Sequence, residues 1–267
     1  MLNPITKLAL GQFAINVGDE DANIELIIDC IDRASASDAD LLVLPEMCTS
    51  GLDWAQNKAL LPRAEKDLAR LTAHAVEKGI AFCGSFLECA GNGEPANTFF
   101  YINTQGEVLA KYRKMHLFSL FNENAHVAAG NKMVTADNGV FRFGCSICYD
   151  LRFPELFRSS MLAGAEVQFL SAAFPHPRLV HWQSLIRARA IENQFYFIAV
   201  NQCGTESHMS TGEVSYFGHS LVVDPWGEIV FEAGEAPGLF FVEIDLGLVS
   251  RVREQLPALQ DRRSDLY

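Results

Sequence analysis

Apolar and polar positions alternate along the chain with two periods, which predicts strands and helices in alternation. Ile24, Ile27, Ile28 and Ile31 recur at the spacing of one helix face. Gly79 follows a second helical pattern as a C-cap glycine would. The predicted helices are Asp19–Ala34, the segment around Leu68 to Val76, Pro154–Ala163 and Val180–Gln194. The predicted strands are Ile5–Phe13, Leu41–Leu44, Ile80–Glu88, Thr98–Asn103, Val108–Arg113, Val140–Cys148, Val167–Ser171, Phe195–Gln202, Leu221–Asp224 and Ile229–Phe231.

Both halves of the chain are rich in βαβ units, and no linker or low-complexity segment separates them. This order predicts an α/β fold in which two sheets pack together and helices cover both outer faces. We expect a single domain over residues 1–267, a length that α/β folds reach as one unit. A hydrophobic content of 49% with 20% charged residues is enough to build its core.

Composition argues against some classes of binding partner and indicates a cellular compartment. A formal net charge of −12 without any basic run argues against nucleic-acid binding. No apolar stretch reaches the length of a membrane span, and residues 1–4 lead directly into a strand-like segment without a signal peptide. The seven cysteines are odd in number and scattered, which is typical of reduced thiols in the cytoplasm.

Reactive side chains follow three of the predicted strands directly. Glu46 comes after Leu41–Leu44, Lys114 after Val108–Arg113, and Cys148 closes the strand that begins at Val140. Ligand crevices of α/β folds form at the carboxyl ends of strands, so these three side chains can meet in one pocket. Taken alone, a surface carboxylate, a surface lysine or a core cysteine would explain each of them. The combination predicts a catalytic site.

The segments around these residues resemble the three signatures of the carbon–nitrogen hydrolase (nitrilase) superfamily, in the order of that family. They are Leu44-Pro45-Glu46, the Tyr112–Phe118 segment and the Cys148–Glu155 segment. Further matches are His181-Trp182, Arg187–Asn193, Gly218-His219-Ser220, Asp224–Glu228 and the closing Arg263–Tyr267. The resemblance covers essentially the whole chain and implies a four-layer α-β-β-α sandwich.

The resemblance also implies a mechanism for hydrolysing an amide. Cys148 would form a thioester, with Glu46 as general base. Lys114 and the backbone N–H of Tyr149 would face the oxyanion of the tetrahedral intermediate. Glu123 falls where many relatives carry a second glutamate and would orient Lys114 or the substrate nitrogen, although its polar segment is equally typical of a solvated charge. No metal or organic cofactor is required.

The substrate follows less directly from the residues. The Cys148–Glu155 segment and the closing segment resemble the branch of ω-amidases and deaminated-glutathione amidases, and the short loop Asn122–Gly130, which carries His126, is most similar to bacterial ω-amidases. By this resemblance the substrate is a small ω-amide of a dicarboxylic acid, such as 2-oxoglutaramate or 2-oxosuccinamate. Its far carboxylate requires a cation or several N–H donors, for which Arg178 is a candidate.

Aromatic side chains near the strand ends are candidate walls of the pocket. Phe118 and Tyr149 lie in the signature segments, and Phe174 follows the strand Val167–Ser171. In the same family, Asp150 and its charged neighbours Arg152 and Glu155 support the turn that carries the nucleophile. The family also pairs its subunits, so the resemblance implies a homodimer or a larger homo-oligomer.

Single features of the sequence suggest other functions. Cys145 and Cys148 form a Cys-x-x-Cys motif, but a strand position for Cys145 does not suit a dithiol redox site. Zinc and serine-hydrolase motifs are missing from the sequence. Deaminated-glutathione amidase and N-carbamoyl amino acid hydrolase stay open as activities, nitrile hydrolysis is less favoured, and the alternative of another class is a non-catalytic binding or scaffold protein.

Overall fold

The computed structural model describes residues 5–208 and 212–266. The expectations for residues 1–4 and for Tyr267 lie outside these ranges. The strands are β1 (Ile5–Gln12), β2 (Leu41–Val43), β3 (Ala81–Cys89), β4 (Pro95–Ile102), β5 (Val108–Arg113), β6 (Thr135–Asp137), β7 (Arg142–Ile147), β8 (Val167–Ala172), β9 (Tyr196–Asn201), β10 (Cys203–His208), β11 (Gly212–Phe217), β12 (Leu221–Val223), β13 (Ile229–Glu232) and β14 (Gly238–Asp245). The helices are α1 (Glu20–Ala36), α2 (Trp54–Lys78), α3 (Glu123–His126), α4 (Pro154–Leu162), α5 (Leu179–Asn193) and α6 (Gly247–Gln255), with 3₁₀ helices at Ser119–Phe121 and Cys148–Arg152.

The two six-stranded sheets have the same arrangement of parallel and antiparallel strands. Their strand orders are β14-β1-β2-β3-β4-β5 and β13-β12-β9-β8-β7-β6. In each sheet three parallel strands occupy the centre, β1 to β3 in one and β7 to β9 in the other, and antiparallel strands close the edges. The central strands are covered on both faces, so most of their residues are buried.

Side chains of the first strand show how the layers are stacked. Leu8 and Leu10 point into the core between the sheets, whereas Ala9 points into the core beneath α1 and α2. Rings from both sheets meet in the middle, with the centroids of Tyr101 and Phe143 only 4.4 Å apart. Helices α4 and α5 cover the outer face of the second sheet. The predicted α/β fold with an α-β-β-α arrangement of layers is therefore confirmed.

Helix boundaries follow the capping residues. Asp19, predicted as the first residue of α1, is its N-cap and accepts a hydrogen bond from the N–H of Ala22. Asp53 caps α2 in the same way, and Gly79 ends α2 with a φ of 68°. The structure adds β6, β10, β11, β14, α3 and α6, for which the sequence made no prediction. Among the described residues, no helix is long and apolar enough to cross a membrane.

Candidate active site

Glu46 follows β2 at the edge where the parallel strands of both sheets end. Its side chain has no solvent exposure. Its Oε2 accepts a hydrogen bond of 2.9 Å from the backbone N–H of Ala173, which follows β8 of the other sheet. The next residue, Met47, has a φ of +46°, a left-handed conformation that turns the chain away directly after Glu46. The site therefore lies where the two sheets meet.

Lys114 follows β5 and lies between two carboxylates. Its Nζ is 2.8 Å from Oε1 of Glu46 and 2.8 Å from Oε2 of Glu123. The side chain is 2% exposed. Burial opposes its charge, but the attraction of Glu123 and Glu46 outweighs this and raises the pKa of Lys114 well above its ordinary value. Lys114 is thus held as a cation.

Glu123 is buried, so the alternative of a solvated charge is wrong. It begins the four-residue helix α3 and is 1% exposed, although the sequence around it is polar. Oε2 also accepts a 2.7 Å hydrogen bond from the N–H of Phe118, and Oε1 accepts one of 3.1 Å from Asn97. Burial and the charge of Glu46 raise the pKa of Glu123, while Lys114 opposes this shift. Two carboxyl groups and one ammonium group therefore share a buried site.

Cys148 begins the 3₁₀ helix Cys148–Arg152 directly after β7, where the sequence predicted the last residue of a strand. Its φ is +44°, which costs a non-glycine residue roughly 1–3 kcal/mol and persists only where the surroundings enforce it. The side chain is 7% exposed. The other cysteine of the Cys-x-x-Cys pair, Cys145, is buried inside β7, which does not suit a dithiol redox site.

The carboxylate of Asp150 enforces this turn. It is fully buried and accepts hydrogen bonds from the backbone N–H of Ile147 at 2.8 Å and from the hydroxyl of Tyr112 at 2.7 Å. Its other oxygen is 2.7 Å from Nδ1 of His116. These contacts tie both sides of the turn to β5 and to the residues after it, so the nucleophile turn and Lys114 share one support.

Cys148 lines the same cavity as Glu46 and Ala173, and both influence the pKa of its thiol. Burial, and then the negative charge of Glu46, raise the pKa of Cys148 well above its ordinary value, and Lys114 offsets only part of this. The resting group is therefore a neutral thiol beside a base. This arrangement can deprotonate the thiol at the moment it attacks.

A cavity of about 220 Å³ opens over the thiol. Its polar lining consists of Glu46, Lys114, Glu123 and Cys148. Its apolar lining consists of Leu52, Trp54, Phe118, Phe121 and Ala173. Trp54 also donates a hydrogen bond of 3.2 Å to the carbonyl of Phe121, which fixes the two largest walls to each other.

The predicted pocket residues lie at different distances from this cavity. Phe118 lines it, and Tyr149 packs against Phe118 with ring centroids 4.9 Å apart. Arg178 places its guanidinium 5.9 Å from the ring centroid of Phe118. Phe174 is buried against Trp182 instead, at a centroid distance of 5.4 Å. His126 is exposed on α3 and does not line the cavity.

Sequence reasoning missed Asn97, Leu52, Trp54, Phe121 and Ala173. The last four belong to segments between or beside the predicted strands, and nothing in their spacing sets them apart from core residues. Asn97 gives one signal, because it and Thr98 are the polar side chains of a strand, β4, that is otherwise apolar. No group of three or more metal-binding side chains occurs in the part of the chain that the structure describes.

Comparison with known proteins places this site in a family. The model of the carbon–nitrogen hydrolase family matches residues 7–254. The chain belongs to this family. A 2-oxoglutaramate amidase of Bacillus subtilis is 37% identical over 96% of this chain and 97% of its own. A deaminated glutathione amidase of Synechocystis is 36% identical over 90% of this chain and 92% of its own.

Solved structures of carbon–nitrogen hydrolases have the same fold. The crystal structure of a carbon–nitrogen hydrolase from Helicobacter pylori superimposes with a TM-score of 0.93 at 26% identity, over 99% of this chain and 97% of that one. An amidase from Nesterenkonia sp. AN1 superimposes with a TM-score of 0.87 at 30% identity, over 98% of this chain and 95% of that one. A Glu-to-Gln mutant of that amidase carries a covalent adduct of fluoroacetamide on its active-site cysteine.

Proposed function

We propose that this carbon–nitrogen hydrolase is an amidase for small ω-amides of dicarboxylic acids, such as 2-oxoglutaramate or 2-oxosuccinamate. The observation that carries the proposal is the cavity lined by Cys148, Glu46, Lys114 and Glu123, in which the Nζ of Lys114 lies 2.8 Å from a carboxylate oxygen of each glutamate. The 37% identity to a 2-oxoglutaramate amidase supports the choice of substrate class.

Acylation begins when Glu46 takes the thiol proton of Cys148 and the sulfur attacks the amide carbonyl. The carbonyl oxygen becomes an oxyanion that faces the ammonium group of Lys114 and the backbone N–H of Tyr149. That N–H lies in the first turn of a 3₁₀ helix, where backbone donors have no partner within the helix. Glu46 then gives its proton to the nitrogen, the C–N bond breaks, and ammonia leaves a thioester.

Deacylation reverses these roles with water as the nucleophile. Glu46 takes a proton from the water molecule while the oxygen of that water attacks the thioester carbonyl. The C–S bond breaks, the proton returns to sulfur, and a carboxylic acid leaves. Glu123 touches Lys114 and lines the cavity, so it orients the ammonium group and lies close to the departing nitrogen.

Two guanidinium groups lie over aromatic side chains and are candidates for binding the far carboxylate of the substrate. Only the Phe118 ring among these lines the cavity, and Tyr149 packs against it. Arg178 lies over Phe118, and Arg152 lies over Tyr149 and Phe174 at 5.9 and 5.5 Å from the ring centroids. Among the described residues, neither arginine forms a salt bridge with a carboxylate. A bidentate arginine is well suited to bind a substrate carboxylate.

Deaminated-glutathione amidase is the second candidate, favoured by the 36% identity to the Synechocystis enzyme.

An ammonia-release panel tests the proposal. It compares ω-keto amides, deaminated glutathione, N-carbamoyl amino acids, aliphatic amides and nitriles by kcat/KM at pH 7 to 8. The keto amides should rank first. N-carbamoyl substrates would release carbon dioxide together with ammonia. A higher kcat/KM for any other class contradicts the substrate, and an inactive protein with an ordinary thiol reactivity would support a scaffold.

A homodimer or larger homo-oligomer in the cytoplasm completes the proposal. Val180 on α5, Trp226 in the turn before β13, and Val230 on β13 are exposed apolar side chains of the second sheet and its helix. Light scattering coupled to size exclusion measures the state, and a mass of 29.5 kDa at micromolar concentration would contradict it.

A further inference from the structure

Asn97 contacts both carboxylates of the site, although it neither lines the cavity nor belongs to a signature segment. It lies in β4 with no solvent exposure. Its Nδ2 is 2.7 Å from Oε1 of Glu46 and 3.1 Å from Oε1 of Glu123. Because the amide carries two hydrogens, one can point at each carboxylate. Asn97 thus forms a second bridge between the two glutamates, parallel to that of Lys114.

Neighbouring groups fix the orientation of this amide. The hydroxyl of Ser85 accepts a hydrogen bond from the backbone N–H of Met47 at 3.2 Å and donates one of 2.5 Å to Oδ1 of Asn97. A flipped amide would instead place its oxygen against two carboxylate oxygens. Ser85 of β3 and the turn after Glu46 therefore direct the NH₂ group of Asn97 at the two glutamates.

The site requires these donors because its charges do not balance. Glu46 and Glu123 are both buried, and Lys114 is the one ammonium group between them in the part of the chain that the structure describes. Hydrogen bonds from N–H groups favour the ionised form of a buried carboxylate. With Asn97, each glutamate accepts three: Glu46 from Asn97, Lys114 and the backbone of Ala173, and Glu123 from Asn97, Lys114 and the backbone of Phe118.

We infer that Asn97 is a positioning residue that keeps Glu46 and Glu123 ionised together and fixes the face that Glu46 presents to Cys148. The inference rests on the proposed function for its turnover readout alone. The other titratable groups that face the pair are Lys114, Cys148 and, from β11, Tyr216. None of them supplies the neutral double donor that Asn97 provides.

Two variants of Asn97 and one control test this inference. Asn97→Leu keeps the volume and removes both donors, and the nearly isosteric Asn97→Asp replaces them with a third acid. Asn23→Leu is the matched control, because the buried amide of Asn23 also donates to two oxygens, those of Asn16 and Thr49, and accepts one hydrogen bond from Asn16. Circular dichroism and thermal melting establish that each variant is folded.

Two readouts are measured between pH 5 and 9. The first is kcat and KM for the best amide of the panel. The second needs no substrate: the rate at which iodoacetamide alkylates Cys148, followed by mass spectrometry of its peptide. Without the amide donors the carboxylate pair protonates more readily, so the acid limb of both profiles should move to higher pH by about one unit or more.

We expect Asn97→Leu to lower kcat at least about 30-fold with KM within about 3-fold, because two hydrogen bonds to charged groups are lost. Asn97→Asp should move the acid limb further upward, and this variant decides the matter if the leucine variant does not fold. An unchanged acid limb in a folded Asn97 variant, or an equal shift in Asn23→Leu, overturns the inference. If the wild type hydrolyses no amide, the proposed function fails, and the alkylation profile still decides the role of Asn97.

Discussion

The Nζ of Lys114 lies 2.8 Å from Oε1 of Glu46, although 68 residues separate them in the chain. Both side chains are withdrawn from solvent, where an unpaired charge would be costly. The lysine follows an edge strand and the glutamate a central strand of the same sheet, while Cys148 comes from the other sheet. The packing of the two sheets therefore brings these three side chains together.

Replacing the nucleophile should abolish turnover and leave the fold intact. Cys148→Ala removes the sulfur, and the smaller side chain fits the same space, so we expect no ammonia release above background and an unchanged circular dichroism spectrum. Cys145→Ala is the control, because Cys145 is a buried residue of β7 that does not line the cavity. Activity retained in the first variant, or lost in a folded control, would contradict the assignment.

Glu46→Gln should permit substrate binding but prevent acylation. The amide cannot take the thiol proton, and loss of a general base typically costs about 10²–10⁴ in rate. Intact-mass spectrometry after mixing with substrate should show no acyl adduct within the time in which the wild type completes many turnovers. An adduct that forms at the wild-type rate would exclude Glu46 as the base.

Lys114→Met should reduce both activity and stability. The change leaves two buried carboxylates without their cation, and breaking a buried ion pair costs about 3–5 kcal/mol. Urea unfolding measures the free energy of unfolding at pH 7. Adding Glu123→Gln to this variant should recover part of the loss, since one uncompensated charge is removed. A double variant no more stable than the single one would refute this charge balance.

Replacing the arginine that binds the far carboxylate of the substrate should raise KM. Arg152→Gln and Arg178→Gln are compared with 2-oxoglutaramate and with a neutral amide of the same length. The variant that lacks the binding cation should raise KM for the keto amide by about tenfold or more, as expected for losing a hydrogen bond to a charged group, and leave the neutral amide unaffected. Equal effects on both amides in both variants would place the carboxylate elsewhere.

Glu88 lies outside the candidate active site and should make the free energy of unfolding depend on pH. Burial opposes its ionisation, but hydrogen bonds from Arg113, Lys111 and Thr98 lower the pKa of Glu88 from 4.5 to about 2. A lowered folded-state pKa means that this contribution is fully present above about pH 4.5 and is lost as the pH falls toward 2. We therefore expect the free energy of unfolding of the wild type to exceed that of the Glu88→Gln variant by on the order of 1–2 kcal/mol at pH 7.

Urea unfolding at a series of pH values checks this sign. The difference between wild type and Glu88→Gln should shrink as the pH falls below about 5, where Glu88 begins to take up a proton on unfolding. A difference that stays constant down to pH 3, or grows, would mean that the three donors do not stabilise the charge of Glu88.

Most strand segments, and the strand ends that carry Glu46, Lys114 and Cys148, could be predicted because local patterns encode them. A continuous apolar run such as that of β2 is typical of a strand buried on both faces, and Glu46 follows this run closely. Lys114 directly follows β5, and Cys148 directly follows β7. The edge strand β14 escaped prediction because its alternation of exposed and buried residues makes sense only against β1. The hairpin of β10 and β11 has a mostly polar sequence that no local rule assigns to a sheet.

By itself, the sequence determined the layered α/β fold, the family and the three strand-end residues, since each depends on periodicity or on short ordered motifs. Only the tertiary structure decided that Glu123 is buried against Lys114, that Asn97 joins the two glutamates, and that Phe174 belongs to the aromatic core. Burial and hydrogen-bond partners depend on which segments meet across the two sheets, and this depends on contacts between residues far apart in the chain.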